Sequence, residues 1–501
     1  MPDPRPDRAL TQTQTQTQTR PRPDPDQAQT RPGPDLALAH QRPVQPSPPP
    51  APDPPCIATE SDLLTGPVQD PEPARPPPTV DHPAPPPWFD NGEGGKLKWR
   101  AFERHGSPPA VVDIARHGYD WLVSQDPDPA DMANYASAVD RPEVAAEEFD
   151  WLSSHGIVEW FDEWAPTVPP GGDTSQGAFA SVINGIAIVP KPHTTDKWRP
   201  IVDFKRSGAN RYMLPLPFKL PMPKSFLPYV NPSFVTLRKD LANGFFHLRL
   251  RPRARTYCGF RHPLTGRLGR YTSPPFGAAQ SPYAFCLITS EAARIMRAAI
   301  ATAAADPATP PALARDLAKI FLDVYVDDFI IIGPPAAVQE ADAIVTRVAT
   351  ELGLEFKPSK DVLGATIEVL GVTLCNLTMS ISLPQEKAER YRRDLHTFRD
   401  RYSGAPSVPR QDLEQLAGRL QFAAQCCRWG RAFTRHLLRA LWPPSAREGA
   451  PPEHCVLSPT AWDREIPFWD AVLATPTSHW NTRSQYSTSP WAFAIQLPHI
   501  M

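Results

Sequence analysis

The stretch "DVYVDDFIII", residues 323–332, places two adjacent aspartates between two runs of apolar, β-branched and aromatic residues. Runs of this kind predict buried strands, here residues 320–325 and 329–332, with residues 326–328 at their junction. Aspartate is depleted from strands, and a buried carboxylate is costly unless it is paired or binds a metal. The stretch therefore predicts a hairpin turn, a metal site, or both at once.

The rest of the chain alternates between strand-like and helix-like segments. Further strands are predicted at residues 181–192, 197–205, 232–240 and 367–374, and a hairpin at 255–277 with Gly266 near its tip. Helices are predicted at residues 142–155, 278–304 and 337–352, and residues 386–442 are expected to be mainly helical. This order predicts an α+β fold with a helical appendage.

The N-terminal part has a different composition. The chain has 501 residues and 66 prolines, and the prolines are concentrated in residues 1–90. This segment has few apolar side chains, and their burial could not offset the entropy lost on ordering. Residues 1–90 are therefore predicted to be a disordered Pro-rich tail, partly polyproline II. Residues 91–142 are predicted to be a helical and irregular lead-in, and residues 476–501 an irregular tail.

The charge distribution is more informative than the net charge of -2. Basic residues cluster in "KPHTTDKWRP", "FKRSGANR", "RLRPRAR" and "ERYRRDLHTFRDRY". Local basic surface can attract a polyanion even when the total charge is near zero. The alternative reading of each cluster alone is an ordinary solvated face.

Cysteine usage and hydropathy suggest a location. The seven cysteines show neither Cys-x-x-Cys nor a Cys/His zinc spacing, which favours reduced thiols in an intracellular compartment. The sequence has no apolar signal-peptide core and no apolar stretch of membrane-spanning length. We therefore expect a cytoplasmic or nuclear protein with no membrane partner.

Asp240, at the end of "SFVTLRKD", is a candidate partner for the aspartates at 327 and 328. Nucleotidyl transfer by two metal ions needs carboxylates that bridge both ions, and a single hairpin cannot surround them. A turn or helix N-cap is the alternative reading of Asp240. Lys191, Lys197 and Arg199 on a predicted hairpin could bind a triphosphate, with solvated charges as the alternative.

Six stretches occur in the order of the successive motifs of a reverse transcriptase and resemble them over about residues 143–375. They are "KWRPIVDF", "DLANGFFHL", "PPFGAAQSPYAF", "YVDD", "LGLEFKPSK" and "VLGVTL". "PFGAAQSPYAF" and "LEQLAGRLQFAAQCCRWGRAF" most resemble DIRS-type and Ngaro-like retrotransposons within the long-terminal-repeat-type superfamily. The resemblance implies an RNA-directed DNA polymerase of a mobile element.

The resemblance also implies roles for individual residues. The implied catalytic, metal-binding residues are Asp240, Asp327 and Asp328, with two Mg²⁺ ions as cofactors and Mn²⁺ as the alternative ion. The implied dNTP-binding residues are Lys191, Arg199, Phe245, Phe276, Gly277 and Lys360. Among these, Phe245 resembles the aromatic that crowds the sugar 2′ position, and Lys360 resembles the lysine suggested as general acid toward pyrophosphate. Leu370 and Gly371 resemble the primer grip.

The implied architecture is a right hand. Residues 143–380 would form fingers (143–235) and a palm (236–380) with the βαββαβ order of an RRM or ferredoxin-like fold. Residues 381–475 would form a helical thumb and connection. The implied partners are an RNA or DNA template-primer and dNTPs.

The sequence departs from the family pattern in several places. "ANG" stands where the family usually has an aspartate or lysine before the aromatic of the first catalytic motif. "GAAQSP" replaces the commoner "GLSSAP" or "GLTNAP". The chain ends at "SPWAFAIQLPHIM" without the four acidic residues of a ribonuclease H domain, and it has no recombinase signature. We therefore expect a mobile-element fragment that lacks both.

Two other functions stay open at this point. A catalytically decayed or domesticated reverse transcriptase fold could bind nucleic acid or a protein partner. An RNA-dependent RNA polymerase shares the acidic turn, but Phe245 disfavours it. His247 and Trp198 are interpreted as packing residues.

Overall fold

A computed structural model describes residues 97–161, 179–190, 198–443, 452–475 and 480–481. The predicted Pro-rich tail, Lys191, Lys197 and most of the predicted C-terminal tail lie outside these residues. The polar turn predicted at residues 193–196 lies outside them as well.

Regular structure covers most of the described chain. Its helices are α1 (Trp99–Arg104), α2 (Pro109–His117), α3 (Ala136–Val139), α4 (Pro142–Ser154), α5 (Pro252–Arg255), α6 (Ser281–Ala305), α7 (Pro311–Leu317), α8 (Pro335–Leu352), α9 (Gln385–Tyr402), α10 (Arg410–Ala423), α11 (Arg435–Leu441) and α12 (Ile466–Ala474). The first strands are β1 (Ala130–Asp131), β2 (Val158–Phe161), β3 (Val182–Pro190), β4 (Trp198–Asp203), β5 (Val235–Asp240), β6 (Gly259–Arg261), β7 (Leu268–Tyr271) and β8 (Phe321–Tyr325). The remaining strands are β9 (Asp328–Gly333), β10 (Val362–Gly364), β11 (Thr366–Val369), β12 (Val372–Cys375), β13 (Ser380–Ser382), β14 (Val408–Pro409), β15 (His454–Cys455) and β16 (Trp480–Asn481).

A central antiparallel sheet has the strand order β10-β5-β9-β8. Along the chain its parts run β5, α6, β8, β9, α8, β10, which is the predicted βαββαβ order. Phe329 and Ile331 belong to the same buried cluster as residues of α6 and α8, whereas Ile330 and Ile332 belong to a cluster with Phe226 and residues of β11 to β13. Strand β9 is thus buried on both faces, which explains its unbroken apolar run.

A second sheet contains β3 and β4, paired antiparallel, and the hairpin β6–β7. Gly266 has φ +71° in the β6–β7 connection, which confirms the predicted hairpin and its tip. Helix α4 confirms the helix predicted at residues 142–155. It packs on this sheet through Phe149, whose ring stacks on Phe260 at 4.4 Å between centroids.

The single strand predicted at residues 367–374 is wrong. This segment forms two antiparallel strands, β11 and β12, which pair Val369 with Val372 and leave a two-residue turn at Leu370-Gly371. Both turn residues have positive φ, 51° and 75°, as a tight hairpin turn requires. A leucine at such a position is rare, so Gly371 is the one turn signal in this segment.

The C-terminal helices have a hydrophobic cluster of their own. It contains Leu395 of α9, Leu416 of α10, Leu437 of α11 and Trp469 of α12. Helices α9, α10 and α11 confirm that residues 386–442 are mainly helical. Within the described ranges, no helix combines the length and apolar character needed to cross a membrane.

Candidate active site

The turn between β8 and β9 carries the aspartates of the opening stretch. Tyr325 pairs with Asp328, so only Val326 and Asp327 form the turn, and Val326 has φ +59°. The predicted hairpin is therefore confirmed, with Asp328 as the first residue of β9 rather than part of the junction. Asp328 also pairs with Asp240, the last residue of β5, so the carboxylates meet at one end of the central sheet.

The carboxylates of Asp327 and Asp328 lie in an environment that disfavours their charge. Burial raises the pKa of Asp327 above its ordinary value, and the nearby negative charge of Asp240 raises it further. Burial and then the charge of Asp327 raise the pKa of Asp328 to about 6. Desolvation and like-charge repulsion are the two effects that a bound cation would relieve.

Lys360 contacts the third carboxylate directly. Its Nζ lies 2.6 Å from Oδ2 of Asp240. The 3₁₀ turn that carries it, Pro358–Lys360, follows a segment bound to the end of β5, where the Lys357 N–H donates to the Asp240 carbonyl at 2.8 Å. A backbone bond and a side-chain ion pair therefore join this turn to Asp240.

Asp240 and Asp327 border a cleft of about 380 Å³. Its lining includes Arg199, Asp240, Asn243, Phe276, Asp327 and Lys360. Most of the predicted catalytic and dNTP-binding side chains thus line one cavity, although they lie far apart along the chain. The cleft holds two cationic groups and at least two carboxylates, which suits a ligand that carries both phosphates and metal ions.

Arg199 and the loop at residues 276–277 are held together on the β4 side of the cleft. The Arg199 guanidinium lies 5.1 Å from the Phe276 ring centroid. Gly277 has φ +117°, and a Cβ there would lie 1.9 Å from the Val202 carbonyl oxygen of β4. Asn210 Nδ2 also donates to the Gly277 carbonyl at 2.9 Å. Only glycine fits this close approach of loop and strand.

Phe245 lies behind the cleft wall. Its ring centroid is 5.2 Å from that of Phe276 and 5.4 Å from that of Phe285, and it packs against the main buried cluster. The next residue, Phe246, lines the cleft. The role of Phe245 in sugar selection stays a prediction, and Phe246 is an additional candidate for contact with a nucleotide.

The predicted primer-grip residues lie apart from the cleft lining, at the β11–β12 turn. Lys387, in the first turn of α9, donates from Nζ to the Gly371 carbonyl at 2.6 Å. The same ammonium lies 5.0 Å from the Phe422 ring centroid of α10. The hairpin is therefore bound to the C-terminal helices, a contact that no sequence motif indicated.

His247 does more than the packing role interpreted from the sequence. Its Nδ1 lies 2.9 Å from the Gly244 carbonyl, and its Nε2 lies 3.1 Å from the Glu355 N–H. The side chain is buried, and burial lowers its pKa. A neutral ring that donates through Nδ1–H and accepts at Nε2 satisfies both partners and joins the turn after β5 to the segment before Lys360.

Sequence reasoning also missed residues of the cleft lining, namely Glu148, Trp151, Asn243 and Phe246. Asn243 has φ +61°, and the Asn-Gly pair at 243–244 is a turn signal that could have identified it. Glu148 and Trp151 lie on α4, far along the chain, where no local pattern marks them.

The donor set fits a divalent cation by its chemistry. Mg²⁺ prefers carboxylate oxygens, and Asp240 and Asp327 border the same cleft. Among the residues that the structure describes, no three His, Cys, Asp or Glu side chains are assembled into a metal-binding group. Asp240 is instead paired with Lys360. The carboxylates are thus suitable ligands for a divalent cation by their chemistry.

Residues 189–374 match the protein-family model described as "Reverse transcriptase (RNA-dependent DNA polymerase)". The matched segment includes the central sheet, the acidic turn and both cations of the cleft. This part of the chain is thus similar to the reverse transcriptase family. No curated protein is significantly similar in sequence to this chain.

Solved structures of a foamy viral protease-reverse transcriptase are similar to this chain. One, a dRH form with double-stranded DNA, has 16% identity and a TM-score of 0.49, covering 76% of this chain and 53% of that chain. A second, with an RNA/DNA hybrid, has 16% identity and a TM-score of 0.45, covering 72% and 40%. A third, with double-stranded DNA, has 15% identity and a TM-score of 0.44, covering 76% and 67%. The chain thus spans about half the length of the first of these proteins.

Proposed function

We propose that this chain is an RNA-directed DNA polymerase that adds dNTPs to the 3′-hydroxyl of a primer. The observation that carries the proposal is the cleft in the reverse transcriptase domain. There Asp240 and Asp327 share one cavity with Arg199 and Lys360. Carboxylates for metal ions and cations for a triphosphate are the two sets of groups that nucleotidyl transfer requires.

Asp240, Asp327 and Asp328 would hold two Mg²⁺ ions, with Mn²⁺ as the alternative. When bound, such ions supply Lewis-acid activation of the primer hydroxyl and neutralise charge on the triphosphate. Arg199 binds the triphosphate through the planar fork of its guanidinium. Lys360 holds a proton on Nζ at the edge of the cleft and donates it toward the leaving pyrophosphate.

Further residues bind the nucleotide and primer in this proposal. Phe276 and Gly277 support the incoming nucleotide and the template, and Lys191 contacts the triphosphate together with Arg199. Phe245 disfavours ribonucleotides by crowding the 2′ position. The turn formed by Leu370 and Gly371 holds the primer, and basic surface holds template-primer phosphates, so binding weakens with salt.

The proposed domain division is a right hand. Fingers span residues 143–235, the palm residues 236–380, and the thumb and connection residues 381–475. The connectivity of the central sheet supports the palm, and the separate cluster of α9 to α12 supports the thumb. The motif sequences support an origin in a DIRS-type or Ngaro-like mobile element.

Primer extension tests the proposal. The full chain is assayed on an RNA template with a DNA primer, dNTPs and Mg²⁺, beside the variants Asp327→Asn and Asp323→Asn. Asp323 is the matched control because it lies in β8 of the same sheet but is not among the cleft-lining residues. Asp327→Asn is expected to lose about 10³-fold in rate while keeping the fold, and Asp323→Asn to keep most activity.

Equal rates for the wild type and Asp327→Asn would refute the metal-ligand role of Asp327. A folded wild-type chain that binds template-primer without extending it would instead support the binding-only alternative. Circular dichroism and urea unfolding of each variant separate loss of function from loss of fold.

A further inference from the structure

Lys239 lies next to Asp240 in β5 and is the buried member of an ion cluster on the other face of the sheet. Its side chain is 4% exposed, and its Nζ lies 2.6 Å from Asp342 Oδ1 and 2.6 Å from Asp361 Oδ2. Asp342 belongs to α8, and Asp361 directly follows Lys360. A lysine is seldom buried unless it is paired, and here two carboxylates from different elements pair with it.

The cluster fixes the end of the turn that carries Lys360. The start of the turn is held where the Lys357 N–H donates to the Asp240 carbonyl at 2.8 Å. Within the turn, the Lys360 N–H donates to the Lys357 carbonyl at 2.9 Å and the Asp361 N–H to the Pro358 carbonyl at 3.1 Å. The Asp361 carboxylate then binds Lys239. Both ends of the turn are thus attached to two consecutive residues of β5.

Lys360 itself depends on this attachment for its location. Its side chain is 51% exposed, and a long exposed lysine side chain has many rotamers of similar energy. The backbone position of residue 360 therefore decides whether Nζ can reach both Asp240 and the cleft. A displacement of about 1 Å in such a group can cost about a hundredfold in rate.

We propose that Lys239 and Asp361 are positioning residues for Lys360, fixing its turn against the end of β5 so that Nζ stays at the cleft. This inference rests on the proposed polymerase function of the same cleft. Asp342 neutralises Lys239 from α8 but is not attached to the turn, so it contributes to the stability of the cluster and not to the position of Lys360.

The two carboxylates provide a matched comparison. Asp361→Asn and Asp342→Asn each remove one charge that lies 2.6 Å from the same ammonium, but only the first weakens the attachment of the turn. We expect Asp361→Asn to lower kcat for single-nucleotide addition about tenfold with KM for the dNTP unchanged, and Asp342→Asn to change kcat less than about twofold. Lys239→Met is expected to behave like Asp361→Asn.

A double-mutant cycle identifies the route of the effect. If Asp361 acts through Lys360, Asp361→Asn has no further effect on kcat in a Lys360→Ala background. Independent, multiplicative effects in the cycle would overturn the proposal. So would equal losses of kcat in Asp361→Asn and Asp342→Asn, because that result would make the cluster merely structural.

A readout independent of activity separates this inference from the proposed function. Hydrogen exchange of the full chain reports the hydrogen-bonded backbone amides of Lys357, Lys360 and Asp361. We expect exchange there to be about tenfold faster in Asp361→Asn than in the wild type and near wild-type in Asp342→Asn. A wild type that extends no primer would defeat the proposed function, whereas unchanged exchange in Asp361→Asn would defeat the positioning role.

Discussion

Asp328→Asn should make the metal-free protein more stable at neutral pH while impairing nucleotide addition. The carboxylate is half-buried at the start of β9, and its pKa is raised to about 6 by burial and by the charge of Asp327. The charged form is therefore disfavoured in the folded state. An asparagine has nearly the same shape and no charge, so it removes this cost.

The size of the effect follows from the pKa difference. A change from the ordinary value of 3.8 to about 6 corresponds to about 3 kcal/mol, because one pKa unit is worth about 1.4 kcal/mol. Partial solvent exposure reduces this to about 1–2 kcal/mol. Because the folded pKa is the higher one, the cost is fully present above pH 6 and disappears as the pH falls below 3.8.

Urea unfolding followed by tryptophan fluorescence, in EDTA at pH 7.5 and pH 5, measures this difference. We expect Asp328→Asn to be about 1–2 kcal/mol more stable than the wild type at pH 7.5 and to lose about half of that advantage at pH 5. Added Mg²⁺ should narrow the gap by stabilising the wild type. A variant no more stable than the wild type at pH 7.5, or a gain independent of pH, would refute the reasoning.

Three further substitutions test other parts of the site. Gly277→Ala should cost about 2–4 kcal/mol of unfolding free energy, measured in urea, because the new Cβ would lie 1.9 Å from the Val202 carbonyl; a cost below 0.5 kcal/mol would contradict the close approach. His247→Phe should cost about 1–3 kcal/mol in the same assay, because it leaves a backbone N–H unpaired. Phe245→Val should lower the ratio of kcat/KM for dNTP over rNTP by about tenfold, with Phe246→Val as the comparison; an unchanged ratio in Phe245→Val would exclude it as the sugar gate.

Much of the fold could be predicted from local patterns. The apolar run of β9, the amphipathic helix α4 and the hairpin β6–β7 each carry a periodicity or a turn residue that the structure confirms. The order of the motifs predicts Asp240 and Asp327 as a pair. The register of β5 and β9 pairs Asp240 with Asp328, the residue that follows Asp327. Chemistry that depends on one residue type at one turn or strand end is readable in a sequence.

The remainder could not be predicted because it depends on tertiary contacts. Leu370 adopts a left-handed conformation that leucine normally avoids, so its turn resembled a continuous strand. His247 resembled a core residue because nothing in its neighbourhood shows that Glu355, more than 100 positions away, supplies a hydrogen-bond donor. Glu148 reaches the cleft only because α4 packs beside it.

The attachment of Lys387 to the Leu370-Gly371 turn has a mechanical consequence. A 2.6 Å charge-assisted hydrogen bond is stiff, so a shift in the first turn of α9 must either break it or carry Gly371 along. A movement of α9 that keeps this hydrogen bond is therefore transmitted to the β11–β12 hairpin. Both turn residues already occupy left-handed backbone conformations, which leaves the hairpin few other backbone conformations to adopt.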